Sequence, residues 1–331
     1  MIKLIYIKDG KGLIETDIKN IPKIVIEEKP KLLWLDITIE KDGLTTDEIF
    51  ILTDCFRFHE LSIEDCLIPQ YHPKVEEFEE YVFVAIHGVN GMLKDFSEFE
   101  DKIFELDMFI GKNYIVTLHS DEISVIESIY EKAKIRPLVE LRTLENLLYT
   151  IFQRTINSFE FIINKIGTKI DGIEDKILEN PSKELMDEIF SANKILVNLR
   201  KIIDPQRSVY LYFARETSVI ISKKFLAYFR DIIFQINRMH QSIDSYGQVM
   251  GSILEVYVSS MTLKLNETMK FLTILATVAI PSVAVASYYG MNVVFPEHNI
   301  FGEKHVWHFA ISIIVLSTIA IYIYLKKKKW L

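Results

Sequence analysis

The sequence predicts an α+β cytoplasmic domain followed by long stalk helices and two C-terminal transmembrane α-helices. Three observations predict this architecture. Short apolar runs bounded by turn residues fill roughly the first 120 residues, and such runs are typical of strands. Helical periodicity with few breakers then replaces them. Finally, two uncharged apolar runs of membrane-spanning length lie near the C-terminus.

The composition limits the classes of partner. The chain has 331 residues and a formal net charge of −8, which argues against a nucleic-acid partner because such a partner requires clustered lysine and arginine. Cys55 and Cys66 are the only two cysteines, so we expect free thiols in a reducing compartment. Lys8 and Asp9 interrupt the first apolar run, which indicates that the N-terminal part carries no secretory signal and stays in the cytoplasm.

Residues 1–135 are predicted to form the α/β domain. Apolar runs of strand length lie at residues 3–7, 31–37 and 81–89. A hairpin is expected over residues 103–119, because Gly111, Lys112 and Asn113 supply the turn. Helices are expected at about residues 46–56 and 60–67.

Residues 136–218 are predicted to form a helical hairpin. Helical periodicity extends from about residue 138 to residue 178. Pro181 then ends this helix, and Ser182 can cap the next one. We expect the second helix to end at about Ile203, because Pro205 follows.

Residues 219–270 are predicted to form a stalk helix that continues into a membrane. Pro281 is the only proline between residues 219 and 289. A single helix of some seventy residues would be about 105 Å long, which is more than a globular domain needs. Pro281 itself permits two interpretations, a simple bend or a hinge in a helix that lines a pore.

Residues 271–290 and 307–325 are predicted to span the membrane. Neither run contains a formal charge, and each would be about 30 Å long as a helix, the thickness of a hydrocarbon core. The alternative is a buried core helix, which is usually shorter or amphipathic. Lysines flank both outer ends, at Lys264, Lys270 and in the basic tail 326–331. This asymmetry predicts that both termini are cytoplasmic, that loop 291–306 is extracellular and that the protein is a multi-pass protein of the cell membrane.

Two spans cannot enclose a water-filled path, so transport would require several copies of the chain. The first span is the better lining candidate, because polar residues occur at helical spacing along it and its approach: Glu255, Ser259, Thr262, Asn266, Thr273 and Thr277. The alternative is that these residues only solvate the stalk. That alternative suits Glu255 and Ser259 better than the two threonines at membrane depth.

The segment Tyr289-Gly290-Met291-Asn292, placed between two spans and followed by a lysine tail, resembles the signature of the CorA family of magnesium transporters. The resemblance covers essentially the whole chain, including residues 72–84, 146–152, 198–203 and 228–232. It implies a funnel-shaped homopentamer in membrane lipid that carries Mg²⁺ inward, and that also passes Co²⁺ or Ni²⁺. No GxxxxGK[ST] loop is present, so no nucleotide is expected.

The resemblance also implies roles for individual residues. Asn292 would be the selectivity site, because neutral oxygens can hold a hydrated Mg²⁺ and still release it. Gly290 would allow close backbone approach, and Met291 would pack the turn. The resemblance assigns the remaining pore and loop positions as follows: Asn266 to an amide ring, Met269 and Leu272 to an apolar constriction, Glu255 to the inner end, and Glu297 to the outer loop.

The region from Glu60 to Asp107 is acidic, with thirteen Asp and Glu against three Lys. Such a run is usually a solvated face. The resemblance implies instead a regulatory Mg²⁺ site between subunits, formed by Asp65 and Asp231 with Glu64 nearby. A second family site carries Gln153 and Gln235 here, so it is either weak or dependent on Glu64 with amide oxygens.

The sequence leaves three rival functions to consider: an enzyme, a membrane-anchored sensor and a Zn²⁺ transporter. An enzyme is disfavoured, because the cluster His59, Glu60, Glu64, Asp65 and Cys66 is contiguous and no HExxH or GxSxG motif is present. A membrane-anchored sensor that does not transport would need the spans but not Asn292. A Zn²⁺ transporter would share the architecture, although Met291 favours magnesium.

Overall fold

A computed structural model describes residues 2–68, 72–91, 98–179, 182–215, 220–291, 303–328 and 330. The chain divides into two compact units, Met1–Leu254 and Glu255–Leu331. The first unit contains a seven-stranded sheet and the helices packed on it, and the second contains the two apolar helical segments.

The sheet has the strand order β2-β1-β3-β7-β6-β5-β4. Strands β3 and β7 are parallel, and the other neighbouring pairs are antiparallel. All eight residues of β5 are buried, because helices cover both faces of the sheet. The strand bounds are β1 Ile2–Lys8, β2 Lys11–Glu15, β3 Leu32–Thr38, β4 Lys74–Glu77, β5 Val82–Val89, β6 Ile103–Ile110 and β7 Tyr114–His119.

Side chains cap the starts of two of the helices. Thr45 and Glu48 form a capping box at the start of α1, and the side chain of Ser182 accepts a hydrogen bond from the backbone N–H of Leu185 at the start of α7, as predicted. The helix bounds are α1 Thr46–Phe50 (continued by a π-helical turn, Ile51–Cys55), α2 Glu60–Leu67, α3 Phe99–Lys102, α4 Ser124–Ile135, α5 Pro137–Glu140, α6 Leu144–Glu179, α7 Lys183–Phe213, α8 Leu226–Tyr289 and α9 Glu303–Lys327. Helical turns Ile18–Asn20, Ile21–Lys23 and Ile24–Glu28 link β2 to β3.

The core of the first unit has two parts, one on each face of the sheet. On one face, Leu52 and Ile63 pack against the sheet residue Phe109 in a single apolar cluster. On the other face, the ring of Trp34 meets that of Tyr130 edge-on at 6.4 Å. Burial on both faces accounts for the dense apolar content of the central strands.

A buried polar network joins the parallel strands β3 and β7. The Thr117 hydroxyl donates to Asp36 Oδ1 at 2.5 Å, and His119 Nε2 lies 3.2 Å from the same oxygen. Trp34 Nε1 donates to the Thr117 hydroxyl at 3.1 Å. These polar groups are buried but satisfied, which is the condition under which burial is tolerated.

The predicted end of the second long helix was wrong. Helix α7 does not stop at Ile203 but passes through Pro205 and ends at Phe213. Proline in a helix interior costs about 3 kcal/mol. Beyond it, Val209, Tyr210 and Phe213 are essentially fully buried, and each large apolar side chain contributes about 1.5–3 kcal/mol. Their burial therefore outweighs the cost of the proline.

Gln206 explains how α7 is held against the sheet. Strand β4 pairs with β5 only as far as Ala85, so the backbone of His87 faces an open edge. The Gln206 side chain completes that edge: its Oε1 accepts from the His87 N–H at 2.9 Å, and its Nε2 donates to the His87 carbonyl at 3.0 Å. The Gln206 side chain thus makes the two backbone hydrogen bonds that a neighbouring strand would make at His87.

We expect Gln206→Ala to lower the free energy of unfolding of the first unit by about 2–5 kcal/mol, because two buried backbone groups each lose a partner. Urea denaturation of the detergent-solubilised protein measures this change. Lys201→Ala removes an exposed side chain from the same helix and should change stability by less than about 0.5 kcal/mol. Equal effects of the two variants would contradict the edge-capping role.

Candidate ion path and regulatory carboxylates

The polar stripe of α8 lies along one side of the helix. At 3.6 residues per turn, Glu255, Thr273 and Thr277 fall within about 20° of Asn266. Met269 and Pro281 lie about 60° to either side of it, and Leu272 lies about 120° away. The predicted pore residues therefore share one face, except for Leu272, which lies toward the flank.

The stripe is accessible within a single chain. Asn266, Met269 and Thr273 are exposed, and Thr277 and Pro281 are half-buried. The hydroxyl of Thr273 donates to the Met269 carbonyl and that of Thr277 donates to the Thr273 carbonyl, both at 2.7 Å. Because the hydrogens are used within the helix, the hydroxyl oxygens present lone pairs outward, as a cation path requires.

Both apolar helices are long and apolar enough to cross a membrane. The most apolar window of α8 has no residue buried within the protein, and that of the second candidate span, His308–Lys327, has 6 % of its residues buried. A core helix of a soluble protein would be mostly buried. The interpretation as a buried core helix therefore does not fit these two segments.

The first span ends at the predicted signature. Helix α8 ends at Tyr289, and the Gly290 N–H donates to the Ala286 carbonyl at 2.9 Å. A Cβ at Gly290 would lie 2.9 Å from that same carbonyl oxygen. Close backbone approach, rather than a left-handed conformation, is thus the reason for glycine here. Met291 is 56 % exposed, and Asn292 and Glu297 lie outside the described residues.

We expect Gly290→Ala to lower Mg²⁺ influx by at least about tenfold, because its Cβ forces the last helical turn to shift by a few tenths of an ångström just before Asn292. Proteoliposome flux measures this effect. Gly251→Ala is the matched control, because nothing lies within 4 Å of a Cβ at that helical position. Wild-type influx in both variants would show that close packing at Gly290 is unimportant.

The predicted regulatory carboxylates lie on two different helices. Asp65, on α2, is paired with the ammonium of Lys74, whose Nζ lies 2.5 Å from Asp65 Oδ2 and 3.2 Å from Glu76 Oε1. Glu64 is exposed on the same helix. Asp231 is exposed on α8. Burial, followed by the nearby charge of Asp231, raises the pKa of Tyr149. Sequence reasoning missed Lys74 as the partner of Asp65.

A single chain does not assemble a metal site from these residues. Among the described residues, no group of three or more His, Cys, Asp or Glu side chains is placed to hold a metal ion. Gln153 hydrogen-bonds to Tyr149, and Gln235 Oε1 is buried with no hydrogen-bond partner within the described part of the chain.

The fold and the stripe define a class of membrane transport protein with an α/β domain, long helices and two candidate spans per chain. The family model described as CorA-like Mg²⁺ transporter protein matches residues 30–327, and the chain belongs to this family.

Individual relatives agree with the family assignment. The cobalt/magnesium transport protein CorA of Thermotoga maritima is 29 % identical over 321 residues, covering 96 % of this chain and 88 % of the relative. The protein of the same name from Methanocaldococcus jannaschii is 25 % identical, and the match covers 100 % of both chains. The complete structure of the M. jannaschii CorA magnesium transporter matches with a TM-score of 0.81 at 22 % identity, covering 100 % of this chain and 99 % of that one. The predicted fold class is confirmed.

Proposed function

We propose that the chain assembles as a homopentamer in the cell membrane and conducts Mg²⁺ into the cell. The observation that carries this proposal is the polar stripe along α8, which continues into an uncharged stretch over residues 271–289 that the sequence Gly290-Met291-Asn292 follows directly. Two spans per chain cannot surround water, so a ring of copies is needed. A divalent cation entering a negative interior gains about 4.6 kcal/mol per 100 mV, so no nucleotide or enzymatic step is required.

The path runs along α8. Asn292 holds hydrated Mg²⁺ at the outer mouth, where Glu297 helps to gather cations. Thr277 and Thr273 offer hydroxyl oxygens, Asn266 offers an amide, and Met269 supplies the apolar constriction. Leu272, on the flank of the stripe, supports this constriction from the side that meets a neighbouring copy. Pro281 provides the bend, and Glu255 attracts cations at the inner end.

Intracellular Mg²⁺ closes the path. Asp65 and Glu64 of one copy face Asp231 of the next, and Mg²⁺ between them neutralises the repulsion and holds the copies together. Loss of internal Mg²⁺ loosens the ring and opens the path. This arrangement accords with cytoplasmic termini, which the flanking lysines favour.

Ion flux into proteoliposomes tests the proposal, with Mg²⁺ varied separately on each side. We expect influx that rises with external Mg²⁺ and falls as internal Mg²⁺ increases. Influx that ignores internal Mg²⁺ would remove the regulatory role and leave transport intact. An absence of flux from correctly inserted protein would favour the membrane-anchored sensor.

The same flux assay in proteoliposomes compares the rates at which different divalent cations are transported. We expect Mg²⁺ to be carried, together with Co²⁺ and Ni²⁺, which are similar in hydrated size. The names of these two relatives pair cobalt with magnesium, which supports this range. Zn²⁺ flux without Mg²⁺ flux would favour the alternative of a zinc transporter with the same architecture.

A further inference from the structure

The first unit contains a cavity of about 810 Å³ that ion conduction does not use. Strands β5 and β6 supply His87, Glu105 and Asp107, helix α2 supplies Cys66, and α7 supplies Asn198 and Lys201. Its size lies within the range of about 300–1,000 Å³ typical of sites for small molecules.

Asp107 is the unusual group in this cavity. On β6 it is paired in register with Ala85 on one side and Leu118 on the other, so its strand neighbours are apolar. It is 3 % exposed, its carboxyl shares a hydrogen bond with the Cys66 thiol, and among the described residues its Oδ1 has no partner. A buried acceptor without a partner costs about 1–3 kcal/mol, and packing alone gives no reason to keep it.

The surroundings determine the protonation of this carboxyl. Burial, followed by the nearby charge of Glu105, raises the pKa of Asp107 well above its usual value. Burial and Asp107 itself raise the pKa of the Cys66 thiol in the same way. The charged and titratable groups around Asp107 come from every element that lines the cavity: Asp65, Cys66, His72, Lys74, His87, Glu100, Glu105, His119, Asp121 and Lys201. Burial and Glu105 favour the protonated form of Asp107, whereas the Cys66 hydrogen bond and Lys74 favour the carboxylate, and the first two prevail.

We propose that this cavity binds a small organic cation through a primary ammonium group, with the Asp107 carboxylate as its main acceptor and Glu105 beside it. An ammonium offers three donors, which match an unfilled buried oxygen and a neighbouring carboxylate. The walls also contain Ile103, Phe104 and Ile202, which can cover the carbon chain of such a ligand. A bare metal ion is a poorer match, since the described residues contain no set of three metal ligands.

Binding has a defined proton balance. The ammonium favours ionised Asp107, so the carboxyl loses its proton to solvent as the cation enters. One positive charge replaces another, and the site avoids burying a net additional charge. Proton release therefore accompanies binding, and affinity should increase with pH until Asp107 is ionised without the ligand.

Isothermal titration calorimetry of the full-length protein in detergent tests this site, with butylamine, which carries one ammonium group, as the probe. Titrations in phosphate and in HEPES, buffers of different ionisation enthalpy and without a primary amine, report proton release directly. We expect protons to be released as the amine binds. We expect Asp107→Asn to weaken binding by at least about tenfold and to abolish the release, because a charge-assisted hydrogen bond is lost.

Matched controls separate the site from general charge effects. Asp121→Asn makes the same change at an exposed residue of the cavity rim and should leave affinity within about threefold. The uncharged analogue 1-butanol should not bind. Asn is isosteric with protonated Asp107, and near-UV circular dichroism checks that the variant is folded. The proposal is overturned if folded wild-type protein gives no binding heat, if Asp107→Asn binds equally well, or if Mg²⁺ rather than the amine releases the proton.

Discussion

Asn292→Ala is expected to lower Mg²⁺ influx into proteoliposomes by at least about 100-fold without changing the assembly. In the proposed pentamer, the substitution removes five amide oxygens from one ring. Each hydrogen bond to a water of hydrated Mg²⁺ contributes about 0.5–1.5 kcal/mol, so the ring as a whole contributes several kcal/mol. Every 1.4 kcal/mol corresponds to a factor of ten, which sets the expected loss.

The matched control for this prediction is Asn299→Ala, the same change seven residues further along the loop. It should leave influx within about twofold, since no role in conduction is proposed for Asn299. Size-exclusion chromatography in detergent shows whether both variants assemble like the wild type. Normal influx in Asn292→Ala would remove the selectivity role of this residue and, with it, the strongest functional argument from the signature.

The sequence predicted the central elements of the fold but not its edges. Strands β3, β5, β6 and β7 were predictable because they are buried between helices and consist of dense apolar runs. Strands β2 and β4 were missed. They form the two edges of the sheet, and their sequences, KGLIE and KVEE, contain the charged residues that edge strands carry to avoid pairing with other chains.

The candidate site was predictable only where helix periodicity determines position. The stripe from Glu255 to Pro281 follows directly from 3.6 residues per turn, and this geometry also places Leu272 on its flank. The pairing of Asp65 with Lys74 depends on how β4 lies beside α2, which no local pattern reveals. Likewise, Asp107 is one polar residue in an apolar strand, and only its tertiary surroundings show that it lines a cavity.

Asp231→Asn is expected to raise the internal Mg²⁺ concentration that half-closes the path by about tenfold. The variant removes one of the three carboxylates that we propose hold Mg²⁺ between copies, and a contact to a charged group contributes about 1.5–3 kcal/mol. Asp231 is exposed, so the change should not disturb folding. Influx measured over a series of internal Mg²⁺ concentrations gives the half-closing value. Asp171→Asn, at an exposed position of α6, is the control of equal charge and should leave that value unchanged.

Removing the ion-pair partner of Asp65 should shift the half-closing Mg²⁺ concentration in the opposite direction, downward. Mg²⁺ must compete with the Lys74 ammonium for the Asp65 carboxylate, since the two groups lie 2.5 Å apart. Lys74→Gln removes the competitor and should lower the half-closing Mg²⁺ concentration by up to about fivefold, because a partly exposed ion pair contributes about 0–1 kcal/mol. A regulatory site at these carboxylates requires opposite shifts from Asp231→Asn and Lys74→Gln. If both variants shift the half-closing concentration in the same direction, Mg²⁺ acts at a different place on the protein.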